Sequence, residues 1–175
     1  MAQAVVIMGV AGCGKSSLAR ALAAKLGWHL IEGDDFHSAS SRDKMSHGIA
    51  LTDADRAGWL AALGDELQNY PAGVVLSCSA LKQAYRERLR SAVPDVHFAF
   101  LEIDKEEALL RVKARSAAHF FSATLVDDQF ATLEVPVSEP RVLQLQATDA
   151  LPVLTAQLAQ WLATSNDNRS DVCNG

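Results

Sequence analysis

The segment Gly9-Val10-Ala11-Gly12-Cys13-Gly14-Lys15-Ser16 constrains this chain more than any other, because it satisfies GxxxxGK(S/T) in full. It lies between an uninterrupted apolar run, residues 4–8, and the start of a helical pattern at Lys15. A run without alternation reads as a strand buried on both faces. A glycine-rich turn after such a strand can wrap a polyanion with its N–H groups inward, and the helix that follows adds a positive dipole end. Lys15 stands in the first helical turn, where a cation is unfavourable by about 0.3–1 kcal/mol unless an anion accompanies it. It is placed to neutralise β- and γ-phosphate charge, and the Ser16 hydroxyl can ligate Mg2+. Residues 9–16, with Ser17 behind them, are therefore expected to bind ATP. Cys13 reads as a small residue suited to a tight turn; a helix N-terminus can also lower a thiol pKa, which would make it an alkylation target that ATP protects.

The rest of the chain alternates apolar runs with helical patterns. Strands are expected at residues 28–31, 74–77, 97–103 and 141–145. Helices are expected at 15–26, in pieces over 37–69 with Thr52-Asp53 as N-cap, and at 81–92, 104–115, 125–133 and 151–163. Strands alternating with helices imply a parallel sheet covered on both faces, with ligands beyond the carboxyl ends of its strands. One domain over residues 1–164 is expected, with a lid at about 115–124. The Ser- and Asn-rich residues 165–175 have too little apolar surface to order themselves.

Bulk properties exclude several classes. The formal net charge of −5 argues against general nucleic-acid binding, which needs basic surface to neutralise phosphates. No apolar run approaches the roughly 20 residues that span a bilayer, so no membrane association is expected. Residues 1–5 lack a basic n-region, so no signal peptide is expected. Three scattered cysteines, Cys13, Cys78 and Cys173, fit a reducing cytoplasm.

Several charged groups can be assigned to chemistry. Asp55-Arg56-Ala57-Gly58 matches the DxxG motif of GTPases, but it follows no strand and no NKxD motif occurs, so that reading fails. The second strand ends in Glu32-Gly33-Asp34-Asp35, and in a parallel sheet this tip lies beside the glycine turn. In-line phosphoryl transfer needs a carboxylate there to orient the attacking hydroxyl and accept its proton, or to enter the magnesium shell. Asp34 is assigned both parts, and Asp35 suits a helix cap. Lys82, Arg86 and Arg90 form a stripe at i, i+4, i+8. A solvated face explains Arg90, whereas Lys82 and Arg86, nearest the sheet's active edge, suit an anionic substrate. Arg111 and Arg115 share a face of a later helix. An ion pair of Arg111 with Glu107 is one reading; arginines on a closing flap that stabilise the transferring phosphoryl group and exclude water are the other.

Together these pieces resemble the gluconate kinase family of small P-loop kinases. The matching blocks are MGVAGCGKS, GDDFH, KMSHGIAL, DADRAGWL, CSALKQAYRERLR, RVKAR with HFF, and QFATLEVP, in family order from Met8 to Pro136. The resemblance implies phosphorylation of D-gluconate to 6-phosphogluconate with ATP and Mg2+. It also implies an α/β fold with a five-stranded parallel sheet of order 2-3-1-4-5, a lid, and often a homodimer. It assigns Gly12, Gly14, Lys15 and Ser16 to ATP and magnesium, and Asp34 to the base. It places His37, Lys44, Arg56, Ser79, Lys82 and Arg86 around the sugar acid, and Arg111 and Arg115 on the lid. Ser38, Ser41, Ala50 and Gly58 stand where the family usually has Pro, Asn, Pro and Pro. Two alternatives stand beside it: a kinase of another small acid such as shikimate, and a non-catalytic nucleotide-binding regulator. Shikimate kinases carry DxD and a glycine triplet where this chain has GDD and CSAL.

Overall fold

The computed structural model describes residues 3–115 and 123–170. Five strands, β1 (Ala4–Met8), β2 (His29–Glu32), β3 (Val74–Ser77), β4 (His97–Glu102) and β5 (Val142–Gln146), form one parallel sheet. Their order is β2-β3-β1-β4-β5, the one implied by the family resemblance. Every β1 residue is buried. Val5 and Ile7 face one apolar layer and Ala4, Val6 and Met8 the other, so alternation is lost because both faces are covered.

Helices α1 (Lys15–Leu26) and α7 (Leu151–Ser170) supply Leu18, Leu22, Leu154 and Leu158 to the first layer. Helices α3 (Asp53–Leu67) and α4 (Gln83–Ala92) supply Leu60, Leu63, Leu67 and Leu89 to the second. Burial of each such leucine contributes about 1.5–3 kcal/mol. The short α2 (Ala39–Ser46) starts at Ser38, whose hydroxyl accepts from Ser41 N. Thr52 caps α3, with Asp55 closing a capping box. Helices α5 (Lys105–Arg115) and α6 (Ala123–Thr132) reach the glycine turn through Ala108 and Gln129.

Three expectations shift. Helix α4 begins at Gln83, so Lys82 is its N-cap rather than part of a helical stripe. Helix α7 continues through Ser170, past the expected stop near residue 163, because a docked helix propagates without a new nucleation cost. Residues 165–170 of the expected tail are thus helical, and residues 171–175 lie outside those described. The expected lid also lies outside them, apart from Arg115 at the end of α5 and residues 123–124 at the start of α6.

Arg86 is the largest departure, for it is fully buried instead of facing solvent or ligand. All five of its N–H donors are used. Nη1 donates to Ala80 O at 2.8 Å and Leu81 O at 3.0 Å, Nη2 to Glu134 O at 2.9 Å, and Nε and Nη2 grip the Glu139 carboxylate. Arg90 adds a further bond to Glu139 at 2.9 Å. Burial pushes the Glu139 carboxyl up, but the hydrogen bonds from Arg86 and Arg90 outweigh it and hold the carboxyl below its ordinary range. Ala80, in the loop these bonds pin, has φ 45°, a left-handed conformation that alanine rarely adopts.

Removing one partner of a buried pair strands the other charge, at about 3–5 kcal/mol. Arg86→Ala is therefore expected to lower stability by about that amount and the melting temperature by about 6–20 °C. Urea unfolding and calorimetry check this, and a variant melting within about 2 °C of wild type would remove Arg86 as the brace of this region.

Candidate active site

The phosphate cradle owes its shape to glycines held against backbone. Gly9 has φ +144°, and a Cβ there would stand 2.8 Å from Cys13 Sγ and 2.9 Å from Leu101 O. Gly12 has φ +82°, and a Cβ there would meet Ala108 O at 2.8 Å. The loop is thus wedged between the end of β4 and α5, and only glycine fits at either point. Gly14 caps α1 in a left-handed conformation without any side-chain cap, and the first turn carries no acid. The leading N–H groups of α1 are left for an anion. Lys15 Nζ donates to Val10 O at 3.0 Å, and among the described residues no carboxylate pairs with it. Cys13 is buried beneath the loop with its sulfur against Gly9, the packing role of a small turn residue.

The acidic tip of β2 sits across from this cradle. Gly33 presses on β3 so closely that a Cβ would lie 2.5 Å from Ser77 O, and its own carbonyl accepts from the Trp59 indole N–H at 2.7 Å. These contacts turn the chain into a short 3-10 helix, Gly33–Phe36, which lifts Asp34 into the open. The Asp34 side chain is 74% exposed and lies 3.7 Å from His37 Nε2. The His37 ring stacks on Trp59 at 4.3 Å, and its buried Nδ1 has no hydrogen-bond partner among the described residues. Behind the tip, Ser16 Oγ donates to Glu32 Oε2 at 2.9 Å and approaches Ser77 Oγ at 3.4 Å. Glu32 Oε1 is buried without a hydrogen bond among the described residues, and Arg20 stands 3.6 Å from it.

Between cradle and tip lies a cavity of about 390 Å³. From the sequence-assigned residues it gathers Ala11, Gly12, Gly14, Lys15, Ser16, Asp34, His37, Arg56, Ser79 and Arg115. Gly9, Val10 and Cys13 shape the loop from behind, and Ser17 is exposed on α1 outside the lining. Arg56 reaches the cavity with Nη1 donating to Leu51 O at 3.3 Å and its guanidinium 5.5 Å from the Tyr85 ring centre. Neither Arg56 nor Arg115 has a carboxylate partner among the described residues.

Four expected ligand residues are placed elsewhere. Lys44 is spent on Asp55 at 2.8 Å and Lys82 on Asp53 at 3.0 Å, so the first turn of α3 neutralises both. The bond from Lys44 holds the Asp55 carboxyl down to about 2. Asp53 is lowered by hydrogen bonds from Tyr85 and then Lys82. Arg86 is consumed by Glu139, as described above. Arg111 takes the ion-pair alternative, with Nε donating to Glu107 at 2.8 Å and Nη2 to Ala147 O at 3.2 Å. None of the four lines the cavity. Sequence reasoning missed Glu32, Ser77, Trp59 and Gln129. Trp59 and Gln129 both stand inside blocks that carry the family resemblance, and Glu32 and Ser77 are the last residues of their strands.

The sequence model of a family described as an AAA domain matches residues 5–136. A gluconokinase of Gluconobacter oxydans (strain 621H) is 41% identical, with 88% of each chain covered. The thermosensitive gluconokinase of Escherichia coli (strain K12) is 37% identical over 95% of this chain and 91% of its own. The crystal structure of a gluconokinase from Sinorhizobium meliloti 1021 superposes with a TM-score of 0.88 at 38% identity, covering 96% of this chain and 95% of that one. At 20% identity, the APS kinase of Mycobacterium tuberculosis shares the fold, with a TM-score of 0.69.

The surroundings of His37 give a pH prediction. Burial lowers its pKa from 6.5, Asp34 opposes this, and Arg56 and Arg42 reinforce it. The ring is therefore neutral at pH 7. A folded-state pKa below the unfolded one contributes stability above pH 6.5 that is lost as pH falls through the folded value. NMR titration should place the His37 midpoint below 6.5, lower still in Asp34→Asn and higher in Arg56→Ala. A midpoint above 6.5 in the wild type contradicts this account of the site.

Proposed function

The chain belongs to the gluconokinase family of P-loop kinases, and from that premise we propose that it phosphorylates D-gluconate with ATP, giving 6-phospho-D-gluconate and ADP. One observation carries the reading beyond membership. A single cavity joins an anion-seeking glycine loop to an exposed carboxylate, and its three cations, Lys15, Arg56 and Arg115, have no acid partner among the described residues. Two ends of anionic charge fit that arrangement: the phosphates of the nucleotide and the carboxylate of the sugar acid.

The amides of residues 12–16 and Lys15 hold the terminal phosphates, so little reorganisation is needed as charge moves during transfer. Asp34 receives the proton of the attacking hydroxyl as its oxygen bonds to the γ-phosphorus and the bond to ADP breaks. Its exposure suits that part, because the acceptor must approach from the open side of the tip. Arg115, at the end of α5, stabilises charge on the transferred group. Arg56, fixed over the Tyr85 ring, pairs with the gluconate carboxylate, and neutral His37 and Ser79 bind hydroxyls. Lys44 and Lys82 support this wall through α3 instead of touching the substrate.

The donors around Ser16 fit Mg2+. Ser16, Ser77 and Glu32 are hard oxygen groups, and Glu32 Oε1 is a buried acceptor with no hydrogen bond among the described residues, met by Arg20 only at 3.6 Å. Asp34 faces the same spot from the tip. The ion, when bound, supplies neutralisation of the β- and γ-phosphate oxygens. Family membership also supports a homodimer acting in the cytoplasm, for which light scattering is the direct check of assembly.

A coupled assay with ATP, Mg2+ and a panel of sugar acids tests the proposal, with product identified by mass spectrometry. Gluconate is expected to gain one phosphate; product only from another acid, or none at all with ATP still bound, would overturn it. Asp34→Asn is expected to lower kcat by about 10²–10⁴-fold with little change in ATP affinity. A near-wild-type kcat would remove Asp34 as base.

A further inference from the structure

Gln129, on α6, is the one long polar side chain in the cavity that sequence reasoning left without a part. It is 9% exposed, and its Oε1 accepts from the backbone N–H of Ala11 at 2.7 Å, across 118 residues of sequence. That bond fixes the amide plane and its sense, because only the carbonyl oxygen can accept from an N–H. Nε2 is thereby turned away from the loop backbone, and among the described residues it has no acceptor although the side chain lines the cavity. Ala11 follows Val10, whose carbonyl receives the Lys15 ammonium at 3.0 Å. The amide of Gln129 and the charge of Lys15 therefore converge on one end of the loop, and both line the cavity that Asp34 lines. Lysine at this position in a phosphate loop serves the β- and γ-phosphates.

We propose that Gln129 is a catalytic residue whose Nε2 donates a hydrogen bond to the γ-phosphoryl group, with the Ala11 amide acting as the clip that aims it. Helix α6 is suited to hold such a group. Its exit is tied to α4 by Glu134, whose N–H donates to Leu81 O at 2.9 Å and whose carboxylate accepts from Gln83 N at 2.7 Å. A neutral donor here adds attraction for the transferring group without competing with Lys15 or a metal ion for the β-phosphate oxygens.

The inference rests on the phosphoryl-transfer reading above, and two variants separate it from that reading and from a purely structural role. Gln129→Glu keeps an oxygen for Ala11 N–H but replaces the donor with an anion. Gln129→Met keeps volume and removes both groups. Calorimetric titration with AMP-PNP and with ADP is compared for each, alongside steady-state kinetics and melting temperature. The expected result is a loss of about 10- to 100-fold in AMP-PNP affinity and in kcat/KM for ATP in both variants, with ADP affinity changed less than about threefold. A residue that only shapes the loop predicts the opposite pattern: Gln129→Glu near wild type, and Gln129→Met weakened equally toward both nucleotides. Either of those results overturns the proposal. Should Gln129→Glu not fold, the ratio of AMP-PNP to ADP affinity in Gln129→Met decides alone. Failure of the wild type to bind AMP-PNP or to make product would sink the functional reading instead, so the two failures are distinguishable.

Discussion

Burial of β1 on both faces is the constraint from which the rest follows. The strand is paired in parallel with β3 on one side and β4 on the other, and its side chains enter both apolar layers. A strand so held cannot tilt or slip without exposing one layer, since a one-residue shift would exchange its faces. The glycine loop starts from its carboxyl end and therefore inherits a fixed origin. Gly9 and Gly12 then complete the placement, because each lies too close to a neighbouring carbonyl for a side chain to intervene. An anion site made of backbone N–H groups needs this rigidity, as a donor that must reorganise on binding loses much of its electrostatic advantage.

Around that origin the structure sorts its cations into two kinds. Lys44, Lys82, Arg86 and Arg111 each meet a carboxylate, and their charges are committed to holding α2, α3, α4 and α5 in place. Lys15, Arg56 and Arg115 meet none among the described residues, and these three line the cavity. The division follows from energetics. A paired cation near a cleft offers a ligand little, because the ligand must first displace the partner. An unpaired one is stabilised by any anion that arrives. The first turn of α3 carries out much of the sorting: Asp53 and Asp55 bind the two lysines, while Arg56, the next residue, is left to face the cavity.

The strands, the glycine loop and the acidic tip were legible in the sequence because each depends on neighbours in the chain. β1 reads as buried from five consecutive apolar residues, and Lys15 as an anion partner from its place at a helix start. Helix α3 was legible from Thr52 and the polar residues that follow it. What the sequence could not reveal was which cations are neutralised. Nearness to the sheet edge points Lys82 and Arg86 toward the substrate, yet their partners lie 29 and 53 residues away. Helical spacing places Arg111 and Glu107 on one face but does not say whether the pair forms. Glu32 is illegible for the opposite reason: it occupies the last position of a strand, and only the fold shows that Ser16 comes to it from α1.

The buried arginine and the phosphate loop are parts of one mechanical unit. Arg86 binds the backbone of Ala80 and Leu81, in the loop between β3 and α4, and that of Glu134 just past α6, and Glu134 in turn caps the start of α4. The exit of α6 is thereby locked to the strand that neighbours β1. Five residues earlier, the same helix delivers Gln129 to Ala11 N–H. A displacement of the chain around 134–139 would therefore be felt at the glycine loop, although Arg86 itself lines no part of the cavity. The CSALK and QFATLEVP blocks accordingly contribute only Ser79 and Gln129 to the cavity lining. Most of their residues carry the support and two carry the contact, and the support is a property of the whole segment.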